Sequence, residues 1–413
     1  MGRIAIVNGV RTPFVKAWTS FEDIPAQKLG AICARELMEM THLDPDSVDE
    51  VIFGAVAQPV EASNVARVIS LYAGIPKEKR AYTISRNCAS GFESVTSASE
   101  KIRCGLDGVV IAGGTESMSN IPLIFGKDIT KIFLRLGKAK SLLEKISLIS
   151  RIRPRHFKPV VGLALGLTDP VCGLNMGQTA EVLAKEFGIS RKEQDEFSLM
   201  SHKRAIEARL KLQEEITPVI VPPKFKTVVK NDNGPRENQT LEALAKLKPY
   251  FDRHTGTVTV GNSCQVTDGA CSLLIMEDER ARAMGYEPLG YIRSYTYVGV
   301  EPSKMGLGPA YAIPIVLKQA GLQLKDIDLI EINEAFAVQV IACLRLLASS
   351  VGEIDMDKLN VNGGAIALGH PVGTTGSRMI LTALREMNRR NSKFGLVSLC
   401  VGGGQGGAIV LER

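Results

Sequence analysis

Short runs of β-branched and aliphatic residues alternate along the chain with longer stretches whose apolar positions recur at helical spacing. Ile4–Val7, Val51–Ala55, Gly108–Ala112, Leu329–Ile332 and Leu396–Leu399 read as buried strands. Ala26–Met40 and Ser90–Arg103 read as the helices between them. Strands separated by helical stretches of 10–15 residues predict parallel β-α-β units with helices on both faces, an α/β protein. An internal echo predicts two related halves. Around Asn87–Ser119 a small-residue turn opens a helix, and the run Val109–Ala112 then leads into Gly113-Gly114. The same order recurs around Gly369–Gly407, where a helix to Arg390 precedes Leu396–Leu399, Cys400 and a glycine run. Between the halves, residues 120–250 break the rhythm with basic and Pro-containing stretches and Asn231-Asp232-Asn233-Gly234, which predicts an inserted loop domain.

Length and composition narrow the class. A chain of 413 residues, 45% hydrophobic and 23% charged, with 39 Gly and 19 Pro, is globular rather than collagen-like or disordered. It contains no apolar run long enough for a membrane-spanning helix. The opening Met1-Gly2-Arg3-Ile4 reads as a strand lead-in, without a secretion signal, and Ile6 stands where a myristoylation site wants Ser or Thr. The expectation is a cytoplasmic protein whose mature form starts here. Net charge is +6, yet residues 121–160 hold ten Lys/Arg and two acids, so this segment carries +8 and the remainder −2. A chain-wide nucleic-acid surface does not fit such a distribution.

Eight cysteines without a C-x-x-C pair predict free thiols rather than bridges or zinc ligands, so no metal is expected. Three constellations stand out. In Asn87-Cys88-Ala89-Ser90-Gly91 a cysteine sits on a small-residue turn before a helix, where unpaired N–H groups lower a thiol pKa. In Asn362–Gly373 one of only five histidines, His370, lies between Gly369 and Pro371, a restricted backbone suited to holding a base. Cys400 opens Cys400-Val401-Gly402-Gly403-Gly404-Gln405-Gly406-Gly407. These glycines match G-x-G-x-x-G, but no helix can follow in the remaining residues to hold a pyrophosphate. They are better suited to presenting backbone N–H groups to a developing oxyanion.

With Asn333-Glu334-Ala335-Phe336, Arg11-Thr12-Pro13-Phe14 and Ala112-Gly113-Gly114-Thr115-Glu116-Ser117-Met118-Ser119, these motifs resemble the thiolase family over essentially the whole chain. The insert, with Lys138-Ala139-Lys140-Ser141 and Ser147-Leu148-Ile149-Ser150, looks most like the β-subunit of trifunctional fatty-acid oxidation complexes. The resemblance implies duplicated mixed-sheet halves in a layered α/β/α/β/α fold. The first half would be residues 1–120, completed by about 251–278. The loop domain would be 121–250, with a basic amphipathic insert at 125–160, and the second half 279–413.

The resemblance also implies roles. Cys88 is the nucleophile, His370 accepts its proton, and Cys400 is the second acid/base, acting at the α-carbon of acetyl-CoA. Asn333 holds a water that forms one oxyanion site with His370, while the N–H groups of Cys88 and Gly402 form the other. Met176, Arg236, Ser263, Cys264 and Phe336 are the implied coenzyme A contacts, with no cofactor beyond CoA as substrate. Cys264 stands where many members have Ser beside the pantetheine, which leaves that hydroxyl contact to Ser263. Two further departures leave chain length open: Asn175 stands where short-chain members have His, and Asn333 where trifunctional β-subunits usually have His.

The leading reading is a degradative 3-ketoacyl-CoA thiolase, with a biosynthetic acetoacetyl-CoA thiolase as the alternative. A decarboxylating ketoacyl synthase lacks a second cysteine like Cys400, and a lipid carrier or scaffold does not require all four catalytic residues. A homodimer or tetramer is implied, with a hydratase/dehydrogenase α-subunit as a candidate partner. From Ile129, the positions Ile132, Phe133, Leu136, Ala139 and Leu143 share a helical face opposite Lys131, Arg135, Lys138 and Lys145, which predicts a surface for anionic membrane or a partner subunit.

Overall fold

A computed structural model describes Gly2–Arg413. Nine strands carry the main sheet: β1 (Ile4–Arg11), β2 (Glu50–Gly54), β3 (Arg80–Ile84), β4 (Val109–Ser117), β5 (Thr267–Glu277), β6 (Gly290–Gly299), β7 (Leu329–Ile332), β8 (Phe394–Val401) and β9 (Gln405–Glu412). A tenth, two-residue strand, Val15–Lys16, pairs with β5. The order across the sheet is β7-β8-β9-β6-β1-β5-β4-β2-β3.

The duplication expected from the echo is written in this order. Counting the strands of each half along the chain, the first half reads 3-2-4-5-1 from its outer edge inward. The second half reads the same way, because Leu359 makes a parallel bridge to Ile330 in the place of its third strand. In both halves strand 2 is parallel to strand 4, and 4-5 and 5-1 are antiparallel. The halves join where β1 and β6 pair antiparallel, with Ile4 opposite Ile292 and Ile6 opposite Gly290.

Every residue of β2, β4 and β7 is buried, as expected of strands covered on both faces. The covering helices are α1 (Ala26–Thr41), α2 (Ser90–Arg103), α3 (Met176–Glu186), α4 (Arg191–Glu207), α5 (Gly308–Ala320), α6 (Ala337–Ala348) and α7 (Thr375–Arg390). One core lies between α1 and the first half, and another holds α5 and α6 against the second. The central core mixes both halves: Ile52, Phe92, Val110 and Leu273 pack with Met379, Leu381, Val397 and Ile409. Helices α2 and α7 form this middle layer, giving the five-layer α/β/α/β/α arrangement.

The central helices approach unusually closely. A Cβ added to Gly91 would stand 2.7 Å from the Gly373 carbonyl oxygen, and one added to Gly376 would stand 2.6 Å from the Phe92 nitrogen. Glycine at both positions lets the first turns of α2 and α7 meet backbone to backbone. Cys88 and His370 each lie just upstream of one of these turns.

The segment that forms a compact unit of its own is 121–168, shorter than the expected 121–250. Residues 169–250 belong to the main body because α3 and α4 bury apolar faces there: Leu183 with Val338 and Cys400, and Ala205 and Ala208 with Ala367 and Leu368. Within the small unit, helices Lys127–Lys138 and Leu142–Ile149 follow a two-strand ladder partner, Leu123–Ile124, which pairs with Val160–Val161. The amphipathic stretch is thus two helices, interrupted at Ala139–Ser141, where Ser141 caps the second through the Glu144 N–H. Ile129 is buried, but Leu142, Leu143, Ile146 and Ile149 are exposed, Leu143 by 80%.

Candidate active site

Cys88 precedes α2 on a strained turn. Asn87 has φ 44°, in the left-handed region, which asparagine tolerates better than most residues. Its side chain turns this conformation to use, because Nδ2 donates 2.7 Å to the Gly402 carbonyl. Arg86 adds a second clamp, from Nη1 to Gln405 Oε1 at 3.0 Å. The loop that carries the nucleophile candidate is thereby locked to the glycine run after Cys400. That run turns sharply through Gly403 and Gly404, with φ of 91° and 83°, values that a side chain would strain.

The N–H groups of Gly402 and of Cys88 itself face the Cys88 sulfur. They are the two donors that the family resemblance pairs as an oxyanion site. Their pull does not lower the thiol's pKa overall, contrary to the expectation from the helix N-terminus. Burial raises it above the ordinary thiol value, with Glu116 adding to the rise. Cys88 therefore needs a base rather than standing as a free thiolate. Cys400 is fully buried, and burial together with the neighbouring Cys88, Cys343 and Cys264 thiols raises it well above the ordinary value.

His370 offers such a base. Its Nδ1 lies 2.6 Å from Thr375 Oγ1, and the same hydroxyl is 3.1 Å from the Pro371 carbonyl. The hydroxyl has one proton, and the carbonyl can only accept it. Nδ1 consequently carries the ring hydrogen, and Nε2 presents its lone pair. Nε2 is buried without a protein partner. Burial and then the Arg378 charge hold the ring's pKa down to about 4, so it is neutral at physiological pH.

Asn333 follows β7 and is anchored by its N–H to the Ser398 carbonyl at 2.9 Å. Its side chain is buried, and neither Oδ1 nor Nδ2 has a protein partner. Two carboxylates that the sequence reading left unassigned brace this arrangement. Glu116 accepts N–H bonds from Gly373 at 2.8 Å, Ala57 at 3.0 Å and Val56 at 3.2 Å, and burial pushes it up to about 7. Glu334 accepts from Ser201 at 2.6 Å, Asn360 at 2.9 Å and the Ile366 N–H at 3.2 Å. Both lie inside motifs noted for their neighbours. Nothing in one dimension shows that they reach backbone far away in the chain.

The coenzyme A candidates divide. Cys264 N–H bonds to the Ala335 carbonyl, Ser263 bridges to Phe336, and the Gln265 carbonyl accepts the His370 N–H at 3.3 Å. Residues 263–265 thus join the Asn333 and His370 segments. The Ser263 hydroxyl is turned inward onto the Thr259 carbonyl at 2.7 Å, and the half-buried Cys264 thiol lies near Cys88. Met176 opens α3 behind the Asn175 capping box, and a Cβ on Gly402 would be 3.1 Å from its sulfur. Phe336 is buried, its ring edge-on to Phe251 at 6.0 Å. Arg236 is exposed, with its N–H bonded to His202 Nδ1 at 3.2 Å. Two residues earlier, Gly234 abuts the Ala367 carbonyl, close upstream of His370.

A thiol faced by two N–H donors, a neutral buried imidazole and a second, fully buried thiol lie on a duplicated five-layer fold, and these are groups that acyl transfer can use. The chain belongs to the thiolase family: residues 4–279 match the description "Thiolase, N-terminal domain" and residues 286–413 match "Thiolase, C-terminal domain". Curated relatives include the 3-ketoacyl-CoA thiolases of Yersinia pestis and Pseudoalteromonas translucida, each 41% identical across 99% of this chain and 97% of theirs. Among solved structures, the acetyl-CoA acetyltransferase of Bacillus anthracis superposes with a TM-score of 0.90 at 36% identity, covering 100% of this chain and 99% of that one. Human mitochondrial 3-ketoacyl-CoA thiolase superposes at 0.88 and 36%, with 100% and 99% coverage, and is also solved in complex with CoA.

Proposed function

We propose that this protein is a 3-ketoacyl-CoA thiolase, cleaving 3-ketoacyl-CoA with CoA in fatty-acid β-oxidation. The observations that support the chemistry are the two N–H groups facing the Cys88 sulfur, with the Cys400 thiol beside it, and the buried, partnerless His370 Nε2 and Asn333 side chain.

His370 Nε2 takes the Cys88 proton, and the thiolate adds to the 3-keto carbon. The resulting oxyanion is held by the two N–H groups. Its collapse breaks the C2–C3 bond, leaving the acyl group on Cys88 and the electron pair on the acetyl-CoA enolate. The enolate oxygen accepts from His370 Nε2–H and from a water held by Asn333, and Cys400 delivers a proton to C2. In the second half-reaction Cys400 deprotonates CoA. The CoA thiolate adds to the acyl carbonyl on Cys88, the bond to Cys88 sulfur breaks to release acyl-CoA, and the departing Cys88 thiolate recovers its proton from His370. Met176, Cys264 and Phe336 line the pantetheine approach in this reading, and Arg236 meets the phosphates.

The acetoacetyl-CoA reading shares every one of these groups, and the Bacillus anthracis acetyltransferase shares the fold. Thiolysis assays across 3-ketoacyl-CoAs of four to sixteen carbons separate the two. Higher kcat/KM on medium and long chains is expected, and cleavage confined to the four-carbon substrate would instead establish the acetoacetyl specialist.

This reading places the protein in the cytoplasm with peripheral membrane attachment through 121–168, and as a homodimer or tetramer able to bind a hydratase/dehydrogenase α-subunit. Strand β3 has an unpaired outer edge among the described residues, an opening for sheet extension. For the membrane, Leu142, Leu143, Ile146 and Ile149 are exposed beside a segment of net charge +8. Each basic group near anionic lipid contributes about 1 kcal/mol, and apolar insertion adds to it. Co-sedimentation with phosphatidylglycerol vesicles is expected at low salt and weakened at high salt. Leu143→Ser with Ile146→Ser should cut the bound fraction severalfold, whereas no binding at low salt removes the membrane from the reading.

A further inference from the structure

Below the catalytic groups lies a buried charge pair that the acyl-transfer chemistry does not use. Glu331 and Arg378 are each 1% exposed, and Arg378 Nη1 is 3.7 Å from Glu331 Oε2, too far for a direct hydrogen bond. Both Glu331 oxygens and Arg378 Nε and Nη1 are buried without protein partners. Immersing such groups unpaired is costly, and ordered water is the usual remedy where several polar atoms converge.

Their placement follows from two periodicities. Glu331 is two residues before Asn333 along an extended segment, so the two side chains share a face, with Glu331 one pleat deeper. Arg378 is three residues after Thr375 on α7, so it lies one turn below the hydroxyl that holds His370 Nδ1. His370, Asn333, Glu331 and Arg378 all carry buried atoms without protein partners, and the approach of Arg378 to Glu331 joins the strand pair to the helix below His370.

We propose that Arg378 and Glu331, bridged by ordered water, form the floor of the catalytic site and act as positioning residues that keep His370 an uncharged base. Arg378 supplies the cation that disfavours a second positive charge on the imidazole. Burial pushes Glu331 up to about 8 despite Arg378, so at neutral pH it keeps its proton and leaves that cation uncompensated.

The surrounding charges are otherwise engaged. Glu215 pairs with Arg11 and Thr382, and Glu386 with Lys211, Arg389 and Arg390. Glu334 and Glu116 hold the partners described above, and Arg385 bonds Asn8 and Gly9. The Cys271 thiol also lies near Arg378, and burial raises it to about 12, so it is neutral at rest, as are the Cys88 and Cys400 thiols, which burial raises too.

The meaning of this device rests on the thiolase reading, but its test does not require turnover. In protein carrying ¹³C-labelled histidine, the His370 resonance is assigned by its loss in His370→Asn and titrated by NMR. The wild-type midpoint is expected near 4. Arg378→Gln should raise it by about one pH unit, Arg378→Lys should restore it, and Glu331→Gln should leave it unchanged. The acid limb of kcat/KM should move in the same directions. An unmoved midpoint in Arg378→Gln overturns the proposal. So does a fall in Glu331→Gln, which would show Glu331 ionised and the cation compensated, and which decides the matter even if Arg378→Gln does not fold.

Discussion

Cys88→Ser is expected to fold normally and to lose thiolysis by roughly 10⁴-fold or more, the scale seen when a covalent nucleophile is removed. The substitution replaces sulfur with a smaller, polar atom on a turn held by Asn87, Arg86 and the close approach of α2 to α7, none of which involves the sulfur. Its chemical consequence is large because the site already works against ionisation. Burial raises the thiol's pKa, and a hydroxyl begins several units higher. His370, held down to about 4, is too weak a base to lift a proton from serine at a useful rate. Intact mass spectrometry should show one acyl group on wild type after acyl-CoA treatment, mapped to the Cys88 peptide, and none on the variant. Acylation mapped to Cys400 would reverse the assignment.

Cys400→Ala is expected to separate the two halves of the chemistry. Acyl transfer from acetyl-CoA to Cys88 needs His370 and the paired N–H donors, which remain. Exchange of the acetyl-CoA α-protons with deuterated water needs a group that can take and return them, and should fall by ~10²–10⁴-fold. Cys400 is suited to that work because it is fully buried at the end of β8 and beside Cys88. Its own pKa is well above the ordinary value, so at rest it holds a proton for the carbanion, and once it has given that proton up its thiolate is a stronger base than an ordinary one. Wild-type exchange rates in the variant would take Cys400 out of the proton path.

Much of this was legible in one dimension. The alternation of strand and helix patterns and the echo between Asn87–Ser119 and Gly369–Gly407 correspond to two halves with the same strand order. Cys88, His370 and Cys400 were conspicuous because each sits at the junction of an apolar run and a small-residue turn, where side chains leave the sheet. The insert was legible through its charge, but its division into two helices was not. The break at Ala139–Ser141 depends on a cap formed by Ser141, which a face-counting argument passes over.

The sequence by itself determined the class of fold, the internal duplication and the residue types able to do acyl transfer. Periodicity and turn chemistry are local properties, and the motifs carry their reactive atoms with them. Tertiary structure alone decided the protonation states on which the mechanism depends. The Cys88 thiol is raised rather than lowered because burial outweighs two N–H donors. His370 is a neutral base because Thr375 fixes its tautomer and burial, with Arg378, excludes its charge. Glu116 and Glu334 brace the site across long stretches of chain. Desolvation and long-range hydrogen bonds depend on which distant segments are brought together, and no local pattern of residues encodes that.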